Sequence, residues 1–134
     1  GKSDLALRAP AHGLRLVADD RVQVFVSRGR LYGKAPAALS GLIEARGVGI
    51  LPKPSLALAE IVLAACPPPD GRSIERLAGA GERTILGVAV PRLEIRALEA
   101  SAPAKLRLAL EHLGAHRQQA YQARFAPPGG RAGA

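Results

Sequence analysis

Residues suited to binding phosphate stand at the start of the chain. Gly1, Lys2 and Ser3 match the end of a nucleotide-binding loop of the pattern G-x-x-x-x-G-K-[ST]. In that pattern the lysine ammonium neutralises phosphate oxygens and the serine hydroxyl binds Mg²⁺. The alternative is an N-terminal turn that caps a helix. The first half of the pattern would precede Gly1, so we expect the chain to begin inside the loop and to bind ATP poorly by itself.

An acidic pair follows the apolar stretch at residues 14–18. Asp19 and Asp20 stand where a phosphoryl-transfer site needs a metal-binding acid or a catalytic base. Adjacent carboxylates repel each other, and a cation or an arginine nearby makes them tolerable. A solvated turn is the alternative interpretation of the pair.

A turn bracketed by glycines contains the next candidate residues. Glu44 precedes Arg46 by two residues in "IEARGVGI", where glycine lets backbone approach a ligand closely. The end of a helix, with both side chains in solvent, would give the same pattern. His12, His112 and His116 lack a consistent ligand spacing with a cysteine, so we interpret them as surface residues rather than metal ligands.

Composition bounds the class of protein. The 134 residues are 48% hydrophobic and 22% charged, which predicts one globular domain over residues 1–126 and a disordered tail over 127–134. Aromatic residues are only 3%, too few for a platform that stacks nucleic-acid bases. The net charge of +8 fits either an anionic partner or a general bias toward arginine. A lone cysteine, Cys66, and the lack of a long apolar run favour the cytoplasm.

The order of predicted elements indicates a mixed α/β domain. We expect helices at residues 3–9, 37–45 and 103–125. We expect strands at residues 14–18, 22–27, 30–34, 56–65, 84–90 and 92–96. The run at 56–65 is also long enough for a helix, and periodicity does not separate the two.

Four motifs together resemble one enzyme family. The segments "GKSDLALR", "RLVADDRV", "LIEARGVGI" and "IERLAG" occur in the order and near the spacings of the HPr kinase/phosphorylase catalytic domain. The family signature resembles "LE-[IV]-RG-[LIV]-G-[IV]", from which this chain departs mainly at Ile43 and Ala45. The similarity covers residues 1–96, and the compact form resembles the short alphaproteobacterial members.

The resemblance implies a fold and a reaction. The fold would be a P-loop kinase domain of the phosphoenolpyruvate-carboxykinase-like type, with a mixed sheet and flanking helices. The activity would be that of an ATP-dependent serine kinase acting on the HPr phosphocarrier protein of a phosphotransferase system. The protein would use ATP and Mg²⁺ and would work as a homo-oligomer, typically a hexamer.

The resemblance also implies a role for individual residues. Lys2 would contact the nucleotide phosphates, next to the loop residue Gly1, while Ser3 and Glu44 would bind the metal. Asp20 would be the base that accepts the proton of the substrate serine, and Arg76 would act on the transferring phosphoryl group.

The late part of the chain departs from the family pattern. The segment "P-x-K-x-G-R", associated with the dephosphorylating reaction, is replaced here by "RALEASAPAK" at residues 96–105. We therefore expect a kinase with weak or absent phosphorylase activity. The rival hypotheses are another P-loop kinase or ATPase acting on a small molecule, and a basic α/β module that binds nucleic acid.

Overall fold

Short strands fill the chain between two helices. The computed structural model describes residues 1–69 and 81–112. The helices are α1 (Lys2–Arg8) and α2 (Ala102–His112). The strands are β1 (Gln23–Ser27), β2 (Arg30–Lys34), β3 (Leu42–Ala45), β4 (Gly49–Pro52), β5 (Ala59–Glu60), β6 (Ala64–Cys66), β7 (Glu82–Ile85) and β8 (Val88–Glu94).

The described strands form three small sheets. Strands β1, β2 and β5 are antiparallel and lie in that order. Strands β3 and β4 form an antiparallel hairpin. In the third sheet β8 lies in the centre, parallel to β6 and antiparallel to β7. The chain is therefore a mixed α/β fold, as its sequence predicts.

Helix α1 confirms the expected helix at residues 3–9 within one residue at each end. Its first internal hydrogen bond runs from the Leu5 amide to the Gly1 carbonyl at 3.0 Å. A 3₁₀ turn at Ala9–His12 follows, with a proline in its first turn, and ends at Gly13, whose φ is +81°. Proline is tolerated in that first turn, and a positive φ favours glycine at the end.

The hairpin of β1 and β2 is also confirmed. Its two-residue turn consists of Arg28 and Gly29, with φ angles of 52° and 74°. Positive φ at both positions matches the right-handed twist of the flanking strands. The rings of Phe25 and Tyr32, directly opposite each other, stack with centroids 5.5 Å apart.

The predicted helix at residues 37–45 is wrong. A 3₁₀ turn occupies only Ala37–Leu39, and the chain then enters β3. Gly41, at a φ of 71°, separates the two. The glycines that follow residue 45 do not end a helix: Gly47, at a φ of 84°, lies in the turn of the β3–β4 hairpin, and Gly49, at 128°, is the first residue of β4.

Three strand predictions need correction. Residues 14–18 make only an isolated bridge between Leu16 and Ser55, and the run at 56–65 divides into β5 and β6. The last two predicted strands, 84–90 and 92–96, are divided at Pro91, but the observed division between β7 and β8 is a turn formed by Leu86 and Gly87, which have positive φ. Pro91 lies within β8, where that strand changes partner from β7 to β6. A residue without an N–H is tolerated at such an interruption of the ladder.

The buried core is small and aliphatic. Its most buried hydrophobic residues are Leu16, Leu31, Ile43, Val90, Ile95, Ala102 and Ala109. No helix within residues 1–69 and 81–112 has the length and apolar character needed to cross a bilayer. The predicted helix at 103–125 is observed as α2 up to His112, and the remainder, with the expected tail at 127–134, lies outside the described residues.

Arg107 on α2 fixes the end of the 3₁₀ turn. Its Nη1 donates to the His12 carbonyl at 2.9 Å, and a methyl group at Gly13 would lie 1.9 Å from that same nitrogen. Gly13→Ala therefore combines a strained φ with the loss of a hydrogen bond to a charged group.

We expect Gly13→Ala to lower the free energy of unfolding by about 2 to 3 kcal/mol in denaturant titrations. Gly29→Ala is the matched control, because Gly29 has a similar φ of +74° but no atom within 4 Å of the added methyl group. It should cost only about 1 kcal/mol, the conformational part. Equal costs for the two variants would contradict the role of Arg107.

Candidate active site

One carboxylate joins two of the sequence motifs. The Ser3 hydroxyl on α1 donates to Oδ1 of Asp19 at 2.7 Å. Asp19 follows the segment at residues 14–18, whose Leu16 is buried and bridges to Ser55. The burial of Leu16 therefore places the Asp19 carboxylate beside the first turn of α1.

The same carboxylate binds the third motif. The backbone amide of Glu44, in β3, donates to Oδ2 of Asp19 at 3.0 Å. Ile43, the preceding residue, is buried and anchors β3 in the core, so the Glu44 side chain is directed to the exposed side. Asp19 therefore holds Ser3 and Glu44 next to each other although 41 positions separate them in the sequence.

The other predicted site residues are placed differently. Lys2 is exposed on the first turn of α1, beside Ser3. Asp20 is exposed, and its carboxylate forms no hydrogen bond or ion pair with the described residues. Gly1 precedes α1 as its N-cap residue. Arg76 lies outside the described residues.

The family resemblance implies the proton-accepting role for Asp20 and no separate role for Asp19. The two are adjacent in "VADD", and only the fold shows that Asp19 is half-buried and Asp20 exposed. Alternation along the segment is the sequence pattern that could separate the two aspartates, because successive residues of an extended segment point to opposite sides. Counting from buried Leu16 along this irregular segment does not decide which aspartate turns inward.

The oxygen atoms gathered here suit a magnesium ion. The Ser3 hydroxyl lies 2.7 Å from the Asp19 carboxylate, and Glu44, whose backbone amide binds the same carboxylate, adds a second, exposed acid. Mg²⁺ prefers oxygen ligands and commonly takes only one or two carboxylates from a protein, completing its shell with water and substrate phosphates. Residues 1–69 and 81–112 contain no group of three or more His, Cys, Asp or Glu that could hold a metal alone. The donor set fits a metal shared with a phosphate ligand.

An apolar cavity lies beside this site but does not include it. Its volume is about 360 Å³, and its walls come from α1, residues 14–18, residues 59–63 and Leu110 of α2. Ser3, Asp19 and Glu44 are absent from its lining. Aliphatic walls offer few donors to phosphate, so this cavity is not where we place the chemistry.

Comparison with known proteins agrees with the four sequence motifs. The family model described as HPr Serine kinase C-terminal domain matches residues 1–111. This chain belongs to that family. The resemblance inferred from the motifs is confirmed, and membership does not favour the nucleic-acid-binding hypothesis.

Two relatives of this HPr kinase domain carry the same name. A protein named HPr kinase/phosphorylase from Limosilactobacillus reuteri is 37% identical over 107 residues, covering 71% of this chain and 33% of that protein. A protein of the same name from Clostridium tetani is 48% identical over 56 residues, covering 42% of this chain and 18% of its own length. The chain thus spans about a fifth to a third of these relatives.

A solved structure shows the same fold. The Hpr(Ser) kinase/phosphatase from Coxiella burnetii superimposes with a TM-score of 0.68 at 23% sequence identity, covering 83% of this chain and 79% of that one. At that identity the likeness concerns the arrangement of helices and strands. It agrees with the mixed α/β fold described above.

Asp19→Asn tests the link between the motifs. The variant keeps one side-chain acceptor where two donors now converge, so either the half-buried Ser3 hydroxyl or the exposed Glu44 amide loses its partner. We expect the free energy of unfolding to fall by about 1 to 3 kcal/mol in denaturant titrations.

Asp20→Asn is the matched control for Asp19, because it makes the same chemical change at the adjacent, exposed residue. It should change stability by less than about 0.5 kcal/mol. A loss at Asp20 as large as that at Asp19 would mean that the pair acts as one structural unit.

Proposed function

We propose that the protein is an ATP-dependent serine kinase that phosphorylates an HPr-type phosphocarrier protein of a phosphotransferase system. The observation that carries the proposal is the Asp19 carboxylate, which brings the Ser3 hydroxyl and Glu44 together in a chain of the HPr kinase family. The name shared by its relatives supports the choice of substrate. The proposal includes a P-loop fold of the phosphoenolpyruvate-carboxykinase-like type, a homo-oligomer and a cytoplasmic location.

The first turn of α1 would hold the nucleotide. In the proposed site Gly1 and Lys2 contact the phosphates, where the exposed ammonium of Lys2 neutralises their charge. Ser3 and Glu44 would hold Mg²⁺, which when bound neutralises charge on the transferring phosphoryl group. Asp19 orients the Ser3 hydroxyl, because accepting its proton at 2.7 Å directs the oxygen lone pairs away from the carboxylate.

Asp20 would accept the proton of the substrate serine. Its carboxylate is exposed, so a protein substrate can reach it, and its neighbour Asp19 already binds two donors. Access to the substrate is a property that a general base for a macromolecular substrate needs, and Asp19 is already engaged elsewhere. Arg76 would stabilise charge on the transferring group, a role carried by family resemblance alone.

The segment after β8 supports a preference for the kinase direction. Attack by inorganic phosphate on phosphoserine needs additional cations to position a second anion. In this segment Glu99 binds Lys105 Nζ at 2.9 Å and lies 3.8 Å from Arg96 Nε. An acid therefore already engages both cations of "RALEASAPAK", so we propose that phosphorylase activity is weak or absent.

Asp20→Asn in the full-length protein tests the proposed base. We expect phosphoryl transfer from ATP to the carrier serine to fall about 10² to 10⁴-fold, while nucleotide binding changes little. Transfer is measured by mass spectrometry of the carrier, and binding by titration with a fluorescent nucleotide. Glu82→Gln, an exposed change on β7, is the control that removes one negative charge elsewhere. Equal loss of binding and transfer would assign Asp20 to nucleotide binding instead.

Incubation of the phosphorylated carrier with inorganic phosphate tests the direction. We expect kinase turnover with ATP and little release of pyrophosphate under matched conditions. Glu99→Gln should not by itself create an efficient phosphorylase, because the close backbone approach that glycine permits is also missing from this segment. Efficient pyrophosphate release by the unmodified protein would refute this part of the proposal.

A further inference from the structure

The guanidinium of Arg8 joins α1 to the backbone ahead of α2. Its Nη1 donates to the carbonyl of Glu99 at 3.1 Å, and Nη2 donates to the carbonyl of Ala97. Nε donates to Oδ2 of Asp4 at 2.8 Å. A planar guanidinium presents donors in several fixed directions at once, and the ammonium of lysine does not.

Residues 97–99, which we call the strap, also lie close to Gly1, the residue that precedes α1. A methyl group placed on Gly1 would lie 3.2 Å from Cβ of Ala97 and 3.5 Å from Leu98. Side chains of a helix lean toward its N-terminus, so Arg8 reaches back along α1 to the same strap. The strap is thus hydrogen-bonded to the last residue of α1 and lies close to the residue that precedes its first turn.

The strap is itself fixed to α2. Besides its bond from Arg8, the Glu99 carbonyl accepts from the Ala102 amide at 3.0 Å, in the first turn of that helix. The Glu99 carboxylate accepts from Lys105 Nζ at 2.9 Å. Arg8 therefore connects α1 to an element that other contacts hold in place.

Helix α1 gains from such contacts because it packs only weakly against the core. It is seven residues long and contains no buried residue. Helices this short are not stable by themselves, and most helical stability in proteins comes from packing an apolar face. The hydrogen bonds of Arg8 add to the half-buried contacts of Leu5 and Ala6.

We propose that Arg8 is a positioning residue for phosphoryl transfer. It holds α1 against the strap and so keeps the Ser3 hydroxyl at its hydrogen-bonding distance from Asp19. The inference rests on the proposed function for its catalytic consequence, whereas the mechanical part concerns the fold alone. The replacement of the family's late segment by "RALEASAPAK" then has a structural result, since that segment supplies the carbonyls that Arg8 binds.

Arg8→Lys in the full-length protein is the test. The variant keeps the positive charge but removes the planar set of N–H donors that binds the two carbonyls of the strap. Helix α1 should therefore lose its fixed position. We expect kcat/KM for ATP at saturating carrier to fall at least about tenfold, as for small misplacements of a reacting group. KM for the carrier should stay within about twofold, because Asp20 is not on α1. Amide hydrogen exchange should accelerate at residues 5–8 and remain unchanged in β1 and β2.

Three variants sharpen the result. Arg28→Lys makes the same change on an exposed hairpin turn and should leave every readout unchanged. Asp4→Asn removes the exposed partner of Arg8 but not the two carbonyl contacts, and should cost less than threefold. Glu99→Gln loosens the strap while Arg8 is intact, and provides a milder change in the same direction if Arg8→Lys folds poorly.

The outcomes separate this inference from the proposed function. Faster exchange in α1 with an unchanged kcat/KM for ATP would overturn the positioning role, as would equal losses toward ATP and carrier. Unmodified protein that fails to phosphorylate any carrier would refute the proposed function instead. Hydrogen exchange on Arg8→Lys would still report whether the strap holds α1, and unchanged exchange there would overturn the mechanical part.

Discussion

The arrangement of the site depends on one half-buried carboxylate that accepts two hydrogen bonds from distant parts of the chain. Asp19 meets a side-chain hydroxyl from α1 and a backbone amide from β3. Hydrogen bonds to an ionised acceptor are stronger than neutral ones. They also bring Asp19 close to a helix start that favours negative charge. Three of the four motifs, those at residues 1–8, 15–22 and 42–50, are therefore neighbours in space because an acid of one accepts hydrogen bonds from the other two.

The rest of the fold supplies rigid attachment points for that carboxylate. Ile43 and Leu16 are both buried. Ile43 immediately precedes Glu44, whose amide binds Asp19, and Leu16 lies three residues before Asp19 itself. Helix α1 is different, since it buries no residue and is held by polar contacts at its surface. Such an element is easier to move than a packed one. The site thus combines a fixed acid and strand with a helix whose position depends on a few hydrogen bonds.

Local patterns predicted the elements that are local in origin. The α1 helix and the β1–β2 hairpin follow from a proline stop, alternating residues and a glycine turn within a few positions. The helix predicted at residues 37–45 is wrong because residues 42–45 pair with β4 and form a strand. Sequence periodicity does not include such a contact with another strand. Motif order identified the family, but the division between Asp19 and Asp20 required the path of the backbone.

The adjacent aspartates show why that division matters physically. Two neighbouring carboxylates repel each other, and their surroundings here offset that repulsion in different ways: Asp19 has two donors, whereas Asp20 faces solvent. Both carboxylate oxygens of Asp19 are already occupied by donors from Ser3 and Glu44. A solvent-facing acid keeps its lone pairs available for a substrate hydroxyl. The pair can thus combine a structural acid with a reactive one at consecutive positions, and the hydrogen bonds of Asp19 determine which residue has which role in the proposed mechanism.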